Sequence, residues 1–356
     1  MLSNLGEAAM MLVPRLLPLA LLTASATLAL SATAYAQHVH RGHAHGHEHD
    51  AEPKRPAKTQ MQRSPVASKP QGLPVAQNTV AHGHSHAGHS HEGHGPETEN
   101  LFGFVLGSDV EPAGARAVAL ESVWRFGKRA GAYIGAGQKV EFAYGLTNDL
   151  SAAAALLGSY HRVRNVPGFD DVDHLRANGI GGEVRWRLSN RKTNGFGLTL
   201  HIEPSLSVSD ELTGLSGRRL ASENKIILDT ELVKDRLYAA FNIINEMEVV
   251  KEKGSPDTER VSKFGFGLAL ATPITRNVFV GAESRYLRAY EGLSLEKAAG
   301  YALYVGPTLH ARFENNTWIS LAWNVQVSGR EKASPASFDL TNFERQHVRL
   351  KAGIDF

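Results

Sequence analysis

Twelve of the 17 histidines fall within residues 38–94. They form two tracts, His38, His40, His43, His45, His47 and His49, then His82, His84, His86, His89, His91 and His94. Imidazole is a borderline ligand suited to Zn, Ni, Cu and Co, and six imidazoles at i, i+2 and i+3 spacing on a flexible chain can wrap a tetrahedral or square site. Binding releases protons from imidazolium, so affinity should fall steeply below the ordinary histidine pKa of about 6.5. The chain has no cysteine, and neither tract has zinc-finger spacing, so metal is not expected to hold the fold together. The alternative is a solubilising polar tail whose metal affinity is incidental.

The segment that carries these tracts offers little to fold with. Residues 37–100 contain six prolines and no Phe, Trp or Tyr, too little apolar surface to offset the entropy of ordering, and they read as disordered. Upstream, an apolar run from Leu16 to Leu30 follows Arg15 and ends in Ala34-Tyr35-Ala36, the small-x-small pattern of a secretory signal cleaved before Gln37. The run is short and broken by Pro18, which argues against a transmembrane anchor. The expected organisation is a signal peptide over 1–36, a disordered His-rich tail and linker over 37–114, and one folded domain over 115–356.

That domain alternates with period two to its last residue. At the end, Val348, Leu350, Ala352, Ile354 and Phe356 share one face, while His347, Arg349, Lys351 and Asp355 share the other. The pattern recurs in Val140, Phe142, Tyr144 and Leu146 against Lys139 and Glu141, and in Ile180, Val184, Trp186 and Leu188 against Glu183, Arg185 and Arg187. About twelve such runs can be counted. Short turns near 147–149, 190–194, 234–235, 275–277 and 314–316 alternate with longer polar links near 164–176, 209–222, 251–260, 289–298 and 329–345. Short connections on one side and long on the other, between strands of ten or more residues, point to an all-β, antiparallel, up-and-down transmembrane β-barrel of about twelve strands. An even count puts both ends of the domain on one side, taken as the periplasm. A soluble β-sandwich or lipocalin-like barrel would turn the apolar faces inward instead. Aromatics near strand ends (Trp124, Phe126, Tyr144, Tyr160, Trp186, Tyr286, Tyr290, Trp318) favour membrane girdles. Bulges or bends are expected at Pro204 and Pro307, which remove ladder donors within strands.

The signal peptide, the alternating last strand and terminal Phe356 together resemble a Gram-negative outer-membrane β-barrel protein. The resemblance implies a place in the outer membrane, contact with its lipids, and recognition of the last strand by the barrel-assembly machinery. Glu203-Pro204 and Gly306-Pro307-Thr308-Leu309-His310 are similar to uncharacterised transporter-type barrels, including the phenol-degradation-pathway channel family. No functional residue carries over from that likeness, and Ala352 departs from the large residue usual five from such an end.

In a membrane barrel the polar face lines the lumen. The candidates are Glu141, Arg185, Arg187, His201, Glu203, Asp229, Glu231, Glu283, Arg285, His310, Arg349 and Lys351, of both signs. Such a wall suits a narrow channel for small solutes or ions, or a salt-bridged, non-conducting scaffold. With 38 Lys+Arg against 36 Asp+Glu, no basic field exists for nucleic acid. An enzyme is not expected: there is no Gly-x-Ser-x-Gly elbow, and Ser159 with His161 reads as a chance pair. A lipid-modifying membrane enzyme is the second alternative. No cofactor is expected in the barrel, and divalent metal is assigned to the tail.

Overall fold

The computed structural model describes residues 95–332 and 336–356. The signal peptide and both histidine tracts lie outside the described residues. Twelve antiparallel strands follow one another: β1 (Arg116–Phe126), β2 (Ala132–Gly145), β3 (Leu150–Arg164), β4 (Val172–Ser189), β5 (Phe196–Ser209), β6 (Ser216–Val233), β7 (Leu237–Glu252), β8 (Glu259–Thr275), β9 (Val278–Glu291), β10 (Lys297–Arg312), β11 (Thr317–Glu331) and β12 (Gln346–Asp355). Each pairs with its sequence neighbours, and β1 pairs with β12 from Ala117↔Asp355 to Phe126↔Gln346, so the sheet closes on itself. A single helical turn, α1 (Arg191–Asn194), sits between β4 and β5, with the Asn190 side chain capping it by accepting from Lys192 N.

The alternation places charge inside and hydrocarbon outside. On β8, Leu268 and Leu270 are exposed while Ala269 and Ala271 are buried; on β4, Trp186 is exposed while Arg185 is buried. Leu156, Ile180, Leu206, Leu220 and Trp323 extend the exposed apolar surface around the barrel. A closed barrel with this inverted pattern has hydrocarbon, not water, as its solvent, so the strands span a membrane.

The two sets of connections differ less than the sequence pattern suggests. On the turn side they are 146–149, 190–195, 234–236, 276–277 and 313–316; on the other side, called the loop side, they are 127–131, 165–171, 210–215, 253–258, 292–296 and 332–345. Only 332–345 is long. The polar stretches taken for loops are partly strand: β4 and β6 run for 18 residues each, carrying residues such as Asp173, Arg176, Arg218 and Arg219 within the ladder. A strand that continues past the hydrocarbon needs no apolar face, so composition stops marking it. At the tight turns, Asp235 and Asn316 hold left-handed backbone (φ 58° and 60°), a conformation that Asn and Asp adopt more readily than most residues.

Three further expectations are corrected. Trp318 is buried, its Nε1–H donating to Asp355 Oδ1 at 2.9 Å, so it faces the lumen rather than an outer girdle. Pro204 and Pro307 interrupt pairing on one side only, with the same register before and after; the register shifts in the ladders of these strands fall elsewhere, at Arg187/Ser189, Ser207/Ser209, Ala298/Gly300 and Leu303/Tyr304. Residues 95–114, assigned above to a disordered linker, are ordered, and much of the segment packs inside the barrel.

Candidate functional site: a plugged lumen

The segment entering the barrel begins an apolar run, Leu101-Phe102-Gly103-Phe104-Val105-Leu106, immediately after the stretch that lacks aromatics. Leu101, Phe102 and Val105 are buried against Tyr238, Ala240, Ala269, Ala271 and Phe279, small or inward aromatic residues of β7, β8 and β9. The fit is close: a Cβ at Gly103 would stand 2.6 Å from Ala322 Cβ, and one at Gly197 on β5 would stand 1.8 Å from Ser108 Oγ. Glycine is required at both places because backbone and neighbour share the space.

Wall charges hold the plug by its backbone. Glu283 accepts from Phe104 N (3.1 Å) and Val105 N (3.0 Å), and Asn242 accepts from Leu106 N (2.8 Å). Arg185, 2 % exposed, donates to the carbonyls of Gly107 (2.7 Å) and Asp109 (2.9 Å), while Arg349 donates to Gly103 O. Asp229 accepts from Ser108 N (3.1 Å), Ser108 Oγ (2.6 Å) and Thr98 Oγ1. Plug and wall also exchange ion pairs: Asp109 lies 3.5 Å from both Arg187 and Arg191, and Glu97 2.8 Å from Arg312. Burial pushes the Asp109 carboxyl up, but Lys192, Arg191 and the Thr98 hydrogen bonds outweigh it and hold the group below its ordinary value.

Beside the plug lies a charge network across β1, β2, β4, β5 and β12. Arg349 grips Glu121 with two donors (3.0 and 3.1 Å). Lys139 Nζ reaches Glu141 (2.9 Å), Glu203 (2.9 Å) and Glu121 (3.6 Å), and Lys351 reaches Glu141 (3.4 Å). Arg185 adds Glu99 of the plug at 4.0 Å, and Glu183 faces His201 at 3.1 Å.

The loop side carries an inward segment of its own. Residues 336–345 fold inward, burying Phe343 with Ile244, Leu287, Ala289, Ala302 and Tyr304. Its Glu344 pairs with Lys128 (3.0 Å) and with His347 Nε2 (3.0 Å); burial opposes the carboxylate, yet Lys128 and His347 hold it well below the usual range. Arg285 donates to Asn324 Oδ1 (3.1 Å) and His347 Nδ1 (3.0 Å), and lies 3.8 Å above the Phe104 ring of the plug. Glu211 of the 210–215 loop binds Arg125 and Arg219.

Of the twelve lumen candidates, eleven stand in these contacts or beside them, with His310 buried and stacked on Trp318. Glu231 does not join them; it sits at the turn-side rim and accepts from Asp235 N. The plug, Glu121 and Glu344 were not among the candidates. Ser159 faces Ser209 (3.5 Å) and His161 donates to Glu211 O (2.9 Å), so the two do not form a nucleophile–base pair.

The fold is similar to several solved barrels. The COG4313 outer membrane channel from Pseudomonas putida F1 is 10% identical at TM-score 0.48, covering 70% of this chain and 98% of that one. The NanC porin is 9% identical at TM-score 0.40 (67% and 98%). The translocator domain of the autotransporter NalP from Neisseria meningitidis is 14% identical at TM-score 0.39 (70% and 90%). No curated protein matches the chain. A family model matches residues 95–356, so plug and barrel are matched together, and the chain belongs to that family, a family of unknown function (DUF6662).

Proposed function

We propose that the chain is an outer-membrane channel for small solutes or ions, held shut by its own segment 95–112. The observation that carries this reading is the origin of the obstruction: the turn-side lumen is filled by a segment joined to the barrel only at β1, while the wall behind it, apart from the apolar seat of Phe102, carries Arg185, Asp229, Glu283 and Arg349. Removing such a segment breaks no strand pairing, and the charged side chains it uncovers are ones that water and ions solvate. The turn side, with Phe356, faces the periplasm in this reading. The histidine tracts act there as a divalent-metal buffer, and calorimetry with Zn, Ni and Cu at pH 7.5 and 5 tests them.

Planar-bilayer recording of the purified full-length chain is the test. A chain lacking 98–110 should conduct steadily where the native chain is mostly closed. Because the chain has no cysteine, Val105→Cys with Gly267→Cys can lock the plug; a Cβ at Gly267 would stand 2.8 Å from Val105 Cγ2. The oxidised pair should stay closed and reopen to native behaviour with reductant. A folded deletion variant that never conducts would favour the salt-bridged scaffold, and lipid hydrolysis by the native chain would favour a membrane enzyme.

A further inference from the structure

Glu183 on β4 stands in the register opposite Glu203 on β5, as the flanking pairs Val184↔Ile202 and Gly181↔Ser205 require. Like charges directly opposed across a ladder are destabilising unless something neutral or positive joins them. His201, two residues from Glu203 on the same face, points its Nε2 between them, 3.1 Å from Glu183 Oε2 and 3.8 Å from Glu203 Oε2. One donor atom from each of the three residues lies within 4.8 Å of the others. His201 is 1 % exposed, and neither of its ring nitrogens makes a well-aligned hydrogen bond, the 3.1 Å approach to Glu183 being a charge contact. A buried imidazole without a well-aligned partner is costly, and its Nε2 edge is turned toward two carboxylate oxygens.

We propose that Glu183, His201 and Glu203 form a site for a first-row divalent cation inside the barrel, distinct from the histidine tracts. The separations suit it, since ligands about 2.1 Å from a tetrahedral ion stand about 3.4 Å apart, between the two distances observed. One imidazole and two carboxylates leave a fourth position for water, a donor set that zinc accepts. Lys139 occupies Glu203 Oε1, leaving Oε2 for the ion.

This assignment does not depend on whether the barrel conducts. The test uses the full-length chain with all twelve tract histidines changed to Asn, refolded with zinc and then desalted. It should retain about one zinc per chain, and His201→Ala or Glu183→Gln should retain less than about a tenth of that. Folding of each variant is read independently from heat-modifiable electrophoretic mobility. Should the lumen variants not fold, zinc-edge X-ray absorption on the tract-substituted chain alone decides, with one imidazole and carboxylate oxygens expected at about 2.0–2.2 Å. No retained zinc, zinc kept undiminished by folded His201→Ala, zinc lost instead with His174→Asn, or an absorption shell with several imidazoles each overturns the site.

Discussion

Inward-folding segments stand at both ends of the barrel, and they use the same chemistry but different tethers. On the turn side, Phe102 with Leu101 and Val105 fills an apolar seat while Asp229 and Glu283 hold plug backbone amides. On the loop side, Phe343 fills a similar seat while Glu344 pairs with Lys128 and His347. The loop-side segment is anchored at both ends by adjacent strands, β11 and β12, and cannot leave without straining their pairing. The plug is anchored by β1 alone. Equal interaction strength therefore produces a structural element at one end and a removable one at the other, which locates the gate.

The largest expected effect tests this asymmetry directly. Phe102→Ala removes a fully buried ring, at a cost of about 3–5 kcal/mol. On the plug that cost falls on docking, so the docking equilibrium should shift by more than about a hundredfold and open probability in bilayers should rise accordingly. Phe343→Ala should instead lower the urea midpoint of the barrel and leave conductance as it was. If the two variants behave alike, the tether argument fails.

The ionic partners offer a second comparison. Breaking the buried Glu344–Lys128 pair with Glu344→Gln should cost about 3–5 kcal/mol of barrel stability, measured by urea unfolding, with little change in conductance. Asp229→Asn keeps the shape but weakens three hydrogen bonds from Thr98 and Ser108, and should loosen the plug by about 1–2 kcal/mol, roughly tenfold in open probability. Unfolding midpoints that move equally in both would indicate one cooperative unit rather than barrel plus gate.

Much of this arrangement was legible in the residues. Period-two alternation placed Arg185, Glu283 and Lys351 inside the barrel because side-chain direction in a strand is fixed by position alone. It also misplaced Trp318, since an aromatic near a strand end is equally at home in a girdle or over an inward histidine. The plug carries no period. Its signal was the return of apolar residues at Leu101, within a stretch whose surroundings read as linker, and nothing local says that a glycine-bearing coil has a seat prepared by Ala240, Ala269 and Gly267 far along the chain. Loop lengths failed for a related reason: outside the hydrocarbon, the ladder persists on backbone hydrogen bonds that composition does not report.

The smallest effect concerns pH, and its sign separates the two ends again. At the plug's entrance, donor oxygens of Glu97, Glu99 and Glu111 lie within 4.8 Å of one another, with Arg312 against Glu97 at 2.8 Å. Burial, then the charge of Glu99, pushes the Glu97 carboxyl up to about 7 and that of Glu111 up to about 8. Released from the barrel, both return toward the ordinary value of about 4.3. Groups whose pKa is raised in the docked state bind protons more tightly there, so their contribution to docking is fully present below about 4.3 and is lost as pH rises through about 7 and about 8. Open probability should therefore climb between about pH 5 and about pH 8.5, by a several-fold factor because partial exposure and salt screen the repulsion. The Glu344 pair on the loop side is shifted the opposite way and should be insensitive across that range. Recording the native chain beside Glu97→Gln/Glu111→Gln at several pH values is the measurement. The double variant should lose the slope, whereas opening on acidification would remove this carboxyl cluster from the gate.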